Sequence, residues 1–352
     1  MKDIFAERLK SARVLKGYSL QDLANQLNNT ITRQSLHKYE KGEVMPDSRM
    51  IGLLSDKLGL RPDYFFSKTQ IELGKIEFRK LDRLPVKDES RIIEFVKDKL
   101  GRYLELEKIL CIETEFVNPV TLTSAVKNLD DIEQAVADVR KEWDMGTDAV
   151  ANTIELLENH HIKVVEVEAG DSFDGMQTYV NGKIPVIAVN RDKVKSADRK
   201  RFTVLHELAH LVLPLNGLSE STKEKFCHQF AAALLFPKEA AIRELGISRS
   251  KVLLPELGAL KKEYGISMQA IVMRAKDLGI LSDNYTRHFF FMIKQMGWKV
   301  QEPVDYIGDE CSGRFEQLLY RALAEELITI GKAAQLCNKS LVDFRTSGLN
   351  FF

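Results

Sequence analysis

Residues 199–213 read Arg199-Lys200-Arg201-Phe202-Thr203-Val204-Leu205-His206-Glu207-Leu208-Ala209-His210-Leu211-Val212-Leu213. On a helix, side chains four residues apart share a face with Cβ atoms about 5–6 Å apart, so His206 and His210 can reach one metal ion while Glu207 projects beside it. Catalytic zinc usually takes three protein ligands and keeps a position open for water. Two histidines leave the set one short. The next helical stretch, residues 220–236, carries Phe226, Phe230 and Leu234 on one face and Glu224, His228 and Ala231 on another, before Pro237 ends it. An acid on the second face can approach the first helix if the two pack antiparallel across the turn at residues 214–221.

Before this helix the hydrophobic period changes from helical to alternating. Ile162-Lys163-Val164-Val165-Glu166-Val167 reads as a strand, Thr178-Tyr179-Val180-Asn181-Gly182-Lys183 as a strand entering a turn, and Ile184-Pro185-Val186-Ile187-Ala188-Val189-Asn190 as an apolar strand. An exposed edge strand beside a cleft can take up an extended peptide by strand addition. Residues 174–180 are the candidate. Further back, residues 129–143 repeat helically, Asp148 is expected to cap a helix through Leu157, and Ile92, Val96, Leu100 and Tyr103 mark a long amphipathic helix to about Cys111.

Residues 1–66 predict five short helices. Leu9, Ala12 and Leu15 pattern the first, which Lys16-Gly17 stops; Ser19 with Asp22 three positions on starts the second as a capping box. The third spans residues 32–40, with Leu36 and Tyr39 inward and Arg33, Gln34 and Lys38 outward. Two short helices joined by a tight turn, the second with Arg and Gln exposed near its start, have what major-groove reading needs: Arg reaches guanine and Gln pairs with adenine. Residues 67–86 are a polar, basic connector containing Pro85, and the apolar Leu349-Asn350-Phe351-Phe352 is read as a docking segment.

Composition excludes several classes. In a chain of 352 residues, 51 Lys and Arg balance 51 Asp and Glu, so no global field demands a nucleic acid or membrane partner, and any DNA affinity is local. The four cysteines form no C-x-x-C pair, which argues against a disulfide framework or a Cys zinc site. With no apolar leader pattern and no apolar run near the roughly 20 residues of a membrane span, the expected location is cytoplasmic.

From residue 9 to 65 the chain resembles the helix-turn-helix domain of the lambda-repressor and Cro type (XRE family). The match lies in Ser19-x-x-Asp22-Leu23-Ala24, Leu36-His37-Lys38-Tyr39-Glu40-Lys41-Gly42, Pro46 and Leu58-Gly59-Leu60. The resemblance implies that Arg13 and Glu40 pair to lock the first helix to the third. It also implies that Thr32, Arg33, Gln34, Ser35 and Lys38 face a double-stranded DNA operator, and that a homodimer reads two half-sites. Leu20 stands where the family often has a phosphate-clamping Gln; Ser19, Arg13 and Lys41 are the candidate substitutes.

A second resemblance covers residues 150–237. Arg199-x-Arg201-Phe202-Thr203-x-x-His206-Glu207-Leu208-Ala209-His210, with the strand at residues 184–190 before it and Glu224-x-x-Cys227-x-x-Phe230-Ala231-Ala232-x-Leu234-Leu235-x-Pro237 after it, is similar to the ImmA/IrrE family of metallopeptidases. It implies that His206, His210 and Glu224 hold Zn2+, with Mn2+ or Fe2+ open, and that Glu207 is the general base; Glu220 is a lesser alternative for the third ligand. Cys227 replaces an Ala of the pattern, Pro214 stands where relatives often have His, and His228 stands where Asn is common. His228 is expected to orient a ligand from outside the coordination shell; the alternative is that it closes the open position. Tyr179, His160 and His161 are candidates for stabilising a transition state.

The expected fold is mainly α with a small β-sheet (α+β). A helix-turn-helix domain at 1–66 precedes a linker and long helix at 67–117, a zincin-like peptidase domain at 118–240 and a helical region at 241–352. The expected function is a DNA-binding regulator whose metalloendopeptidase domain cleaves a repressor or antitoxin-type protein. The alternative is a non-proteolytic repressor or antitoxin whose peptidase-like domain senses a signal or binds a partner.

Overall fold

The computed structural model describes residues 1–67, 71–74, 77–80, 85–113, 115–170 and 173–348, with backbone alone at 77–80 and 347–348. The connector read at 67–86 lies partly, and the apolar segment at 349–352 wholly, outside the described residues. Contacts group the chain into two units, one of residues 1–73, 82–114 and 313–352, the other of residues 74–81 and 115–312. The helical region expected at 241–352 is thus divided between them. Among the described residues, no helix is long and apolar enough to cross a membrane.

In the first unit, α1 (Lys2–Leu15), α2 (Leu20–Gln26), α3 (Arg33–Glu40), α4 (Ser48–Leu58) and a 3-10 turn at Pro62–Phe66 make the expected five short helices. Phe5, Leu9, Leu23, Leu36, Leu54, Leu58 and Phe65 supply their shared core. Local chemistry sets the ends: the Ser19 hydroxyl accepts from Asp22 N while Asp22 accepts from Ser19 N. That main-chain bond from Ser19 is the largest cause holding the Asp22 carboxyl below its ordinary value. The long helix α5 (Val86–Ile109) continues this unit. Arg8 of α1 stacks on the Tyr64 ring at 3.7 Å and reaches Asp98 of α5 at 3.4 Å. Toward its other end, Tyr103 and Leu106 share a second core with the helices Arg314–Ala324, Ile330–Leu336 and Leu341–Gly348.

The second unit holds a sheet of β1 (Glu77–Lys80), β2 (Lys163–Val167), β3 (Phe173–Val180) and β4 (Ile184–Asn190) in the order β1-β3-β4-β2. β3 and β4 form an antiparallel hairpin through Asn181-Gly182, both at positive φ (51° and 68°), which an Asn-Gly pair tolerates in a tight turn. β2 runs parallel to β4. Two expectations change here. Residues 174–180 are not an open edge, because β1 from the connector pairs antiparallel along β3. The helix expected from Asp148 begins later, as α7 (Thr153–Asn159) capped by Asn152, while the Asp148 carbonyl accepts from Arg140 of α6 (Leu129–Glu142). Two further helices, α8 (Ala197–Val212) and α9 (Glu220–Leu235), pack against each other. Val204, Leu205, Leu208, Phe226, Phe230 and Leu234 are in one core with Ile187 and Val189 of β4.

Candidate metal centre and recognition helix

α8 is pinned before it presents any candidate ligand. Fully buried Arg201 pairs with buried Glu310 and donates to the carbonyls of Val150 and Ala151 and to the Tyr306 hydroxyl at 3.0 Å. One turn earlier, Asp198 pairs with Lys261 at 2.8 Å, and Lys261 also holds Glu302 at 2.9 Å. Buried charges persist only when paired and hydrogen-bonded, so these contacts hold α8 to one rotation about its axis. At its other end the Asn118 amide donates to the Val212 carbonyl at 2.9 Å, and the helix stops ahead of Pro214.

Three donors converge between α8 and α9. His206 Nε2 and His210 Nε2 lie 3.2 Å apart, and Glu224 brings Oε2 to 3.3 Å from His206 Nε2 and Oε1 to 3.3 Å from His210 Nε2. At 3.2 Å the two imidazole nitrogens cannot both carry a hydrogen toward each other, so at least one turns a lone pair into a space that Glu224 closes with negative charge. Ligand atoms about 2.0–2.2 Å from a tetrahedral zinc ion stand about 3.3–3.6 Å apart. The donor set fits a divalent metal in chemistry, and each imidazole nitrogen stands at about this spacing from the other and from one oxygen of Glu224. His206 is fully buried while the Glu224 side chain is 38% exposed, so the centre opens to solvent on the α9 side. Glu220, the lesser alternative, pairs instead with Lys223 at 2.7 Å and is 82% exposed.

His228 borders this centre. Its Nδ1 lies 2.6 Å from the Glu224 carbonyl, which can only accept, so Nδ1 carries the hydrogen. The ring meets His206 edge-on at 4.5 Å, and ligand atoms of His206, Glu224 and His228 all lie within 4.8 Å of one another. The sulfur of buried Cys227 and ligand atoms of His206 and His210 also lie within 4.8 Å of one another. Glu207, 1% exposed, lies against β3: a Cβ at Gly175 would meet Glu207 Oε1 at 2.9 Å. The same stretch of β3 is tied to α8, since buried Asp174 faces Lys193 at 3.2 Å and Arg199 at 3.4 Å. Tyr179 shares the Gly175 face of β3 by strand alternation, and burial raises its phenol above the ordinary value. His160 is absorbed in packing, stacked on Trp143 at 4.4 Å and 8°, and burial lowers its imidazole. His161 follows it at φ 64°.

In the first unit, Thr32 caps α3 by accepting from Ser35 N at 3.2 Å, with Thr32, Arg33, Gln34 and Lys38 exposed and Ser35 half-buried. Arg13 Nε and Nη2 grip the Glu40 carboxylate at 2.6 and 2.9 Å, and Arg13 Nη1 donates to the Tyr18 carbonyl at 2.7 Å. α1 therefore fixes both the end of α3 and the turn before α2. Leu20 packs against the core. Spacing revealed His206, Glu207 and His210, but no local signal pointed to Gly175, Glu310 or β1.

Comparison with known proteins finds two family matches in separate stretches of the chain. Residues 157–276 match the family described as IrrE N-terminal-like domain (peptidase M78), and residues 9–65 match the family described as Helix-turn-helix. Over 75 residues, 21% of this chain and 68% of the relative, the sequence is 43% identical to the SPbeta prophage-derived uncharacterized HTH-type transcriptional regulator YonR of Bacillus subtilis (strain 168).

Proposed function

We propose that this chain, which belongs to the helix-turn-helix family through its first domain and carries an IrrE N-terminal-like domain behind it, is a DNA-binding transcriptional regulator that hydrolyses a protein at its metal centre. The observation that carries the proposal is the convergence of His206, His210 and Glu224 at 3.2–3.3 Å on the same helix pair that holds buried Glu207. A divalent ion held by these three side chains supplies Lewis acidity toward water and a peptide carbonyl, with zinc the best match to two imidazoles and a carboxylate. Glu207 accepts the proton of the attacking water and returns it to the leaving amine. Gly175 sets where that carboxylate stands, and Arg201 with Glu310 holds the helix that bears it. His228 acts from outside the coordination shell, bracing the turn of α9 that carries Glu224.

The substrate class that suits a peptidase on a DNA-bound chain is another regulatory protein, a repressor or antitoxin. Arg33, Gln34 and Lys38 read an operator from the exposed face of α3, with Thr32 and Ser35 at its start, and a homodimer reads two half-sites. The test is Glu207→Gln in the metal-loaded chain. Bound metal and operator retention are expected to persist while cleavage of the regulatory protein and the transcriptional response are lost. A response that survives the substitution shows that the domain acts by binding alone. For the DNA side, Arg33→Ala with Gln34→Ala is expected to abolish specific retention of the operator fragment, and unchanged retention removes α3 as the reading helix.

A further inference from the structure

β3 is the strand against the proposed general base, since Gly175 approaches Glu207 with no room for a side chain. A polypeptide read as an extended strand docks beside such a centre on the edge of β3 turned away from β4. That edge is occupied by the chain itself. Gly74 N donates to the Tyr179 carbonyl at 2.8 Å, and β1 continues antiparallel with Glu77 opposite Gln177, Phe78 opposite Met176 and Lys80 opposite Phe173.

The ladder is irregular where chemistry would take place. Between Phe78 and Lys80 the register slips, so Arg79 alone stands against both Asp174 and Gly175. A bulge of this kind bends a strand and re-aims it, and it falls at the residue where an added Cβ would collide with Glu207. The main chain around Arg79 therefore runs beside the part of β3 nearest Glu207. The occupant is also short. β1 has 4 residues against the 8 of β3, so it commits few main-chain bonds to the edge it covers.

We propose that β1 is a resident strand in the docking slot of an extended polypeptide, and that a protein substrate binds by displacing it and pairing with β3 in its place. This rests on reading the centre as a peptidase, and it adds both the form in which substrate is taken and a brake on taking it. Pairing through the N–H and C=O groups of β3 selects an unfolded or locally opened segment rather than a folded surface. Tethering gives β1 an effective concentration on the order of millimolar, which a free peptide must overcome.

The test uses the full metal-loaded chain in a Glu207→Gln background, so binding is read without hydrolysis. Of two consecutive strand residues, one turns its N–H toward the neighbouring strand, so Phe78→Pro with Arg79→Pro removes at least one ladder donor. A second variant replaces residues 75–81 with a Gly-Ser sequence of equal length. The probe is a fluorescein-labelled synthetic peptide with the sequence of residues 73–82, followed by anisotropy and by hydrogen exchange across residues 173–180. Both variants are expected to lose exchange protection on β3, to bind the peptide at least about tenfold more tightly than the parent, and to regain protection when it binds. Equal affinity for parent and variants, or no binding to any of them, overturns the proposal. Tighter binding with no cleavage of an unfolded polypeptide once Glu207 is restored upholds the slot and removes the peptidase reading instead.

Discussion

A methyl group at residue 175 tests how Glu207 is positioned. In Gly175→Ala the new carbon would stand 2.9 Å from Glu207 Oε1, 3.0 Å from Cγ and 3.1 Å from Cδ. Non-bonded heavy atoms settle at about 3.5–4.0 Å, so the carboxylate must move by about 0.5–1 Å. Neither wall yields easily: Gly175 is paired with Val189 of β4 on the far side, and α8 is held by Arg201 on Glu310. Misplacing a reacting group by about 1 Å costs on the order of 100-fold in rate, or about 2.7 kcal/mol of barrier. The expected result is a kcat lowered about 10- to 100-fold in steady-state cleavage of an unfolded polypeptide, with one metal ion per chain retained. Metal is spared because the three nearest atoms all belong to Glu207 and none to His206, His210 or Glu224. Overpacking should cost about 1–3 kcal/mol in urea denaturation, leaving the chain folded. An undiminished kcat, or metal lost in parallel with activity, refutes the assignment of Gly175 as the wall that places the proposed base.

Removing one partner of a buried ion pair strands the other, so Glu310→Ala should destabilise the second unit by about 3–5 kcal/mol; a loss below about 1 kcal/mol in urea melts would show that α8 is held by other means. Arg13→Ala removes a bidentate, mostly buried grip on Glu40 and should cost the first unit about 1.5–3 kcal/mol with weaker operator retention, and an unchanged melt would contradict the lock. His228→Asn should weaken metal affinity about 10- to 100-fold, with X-ray absorption counting two imidazoles on the ion before and after; three imidazoles in the parent would put His228 in the coordination shell. Because burial holds His160 below its ordinary 6.5, the unfolded chain takes up that proton more readily than the folded one. The His160 contribution to stability is therefore fully present above about pH 6.5 and is lost as pH drops below it, and His160→Phe should flatten that part of the profile when denaturation is compared at pH 5 and 8.

Much of the architecture was legible because it is written in short-range patterns. The capping box at Ser19 and Asp22, the inward face of α3 and the amphipathic stripe of α5 are local, and the structure shows each of them. The start of β3 was harder to read: Phe173, Asp174 and Gly175 are followed by Met176 and Gln177, with no clean alternation, and the strand is buried on both faces. Asp148 looks like a cap, yet its carbonyl is taken by Arg140, and Asn152 caps α7 in its place. β1 carries no signature of its own, since four polar and aromatic residues become a strand only when β3 offers an edge.

For the centre itself, sequence alone determined that His206, Glu207 and His210 share one helix turn, because a 3.6-residue period dictates which side chains neighbour one another. It also put an acid and a histidine on one face of the following helix. Only the tertiary structure decided that Glu224 meets both histidines at 3.3 Å while Glu220 turns to solvent. Tertiary structure likewise brought Gly175 against Glu207, drew Glu310 under Arg201 and laid β1 along β3. Those contacts join residues tens to more than a hundred positions apart, and no periodicity in the chain encodes them; they exist because α8 is packed against a sheet and a strap of chain that are built elsewhere.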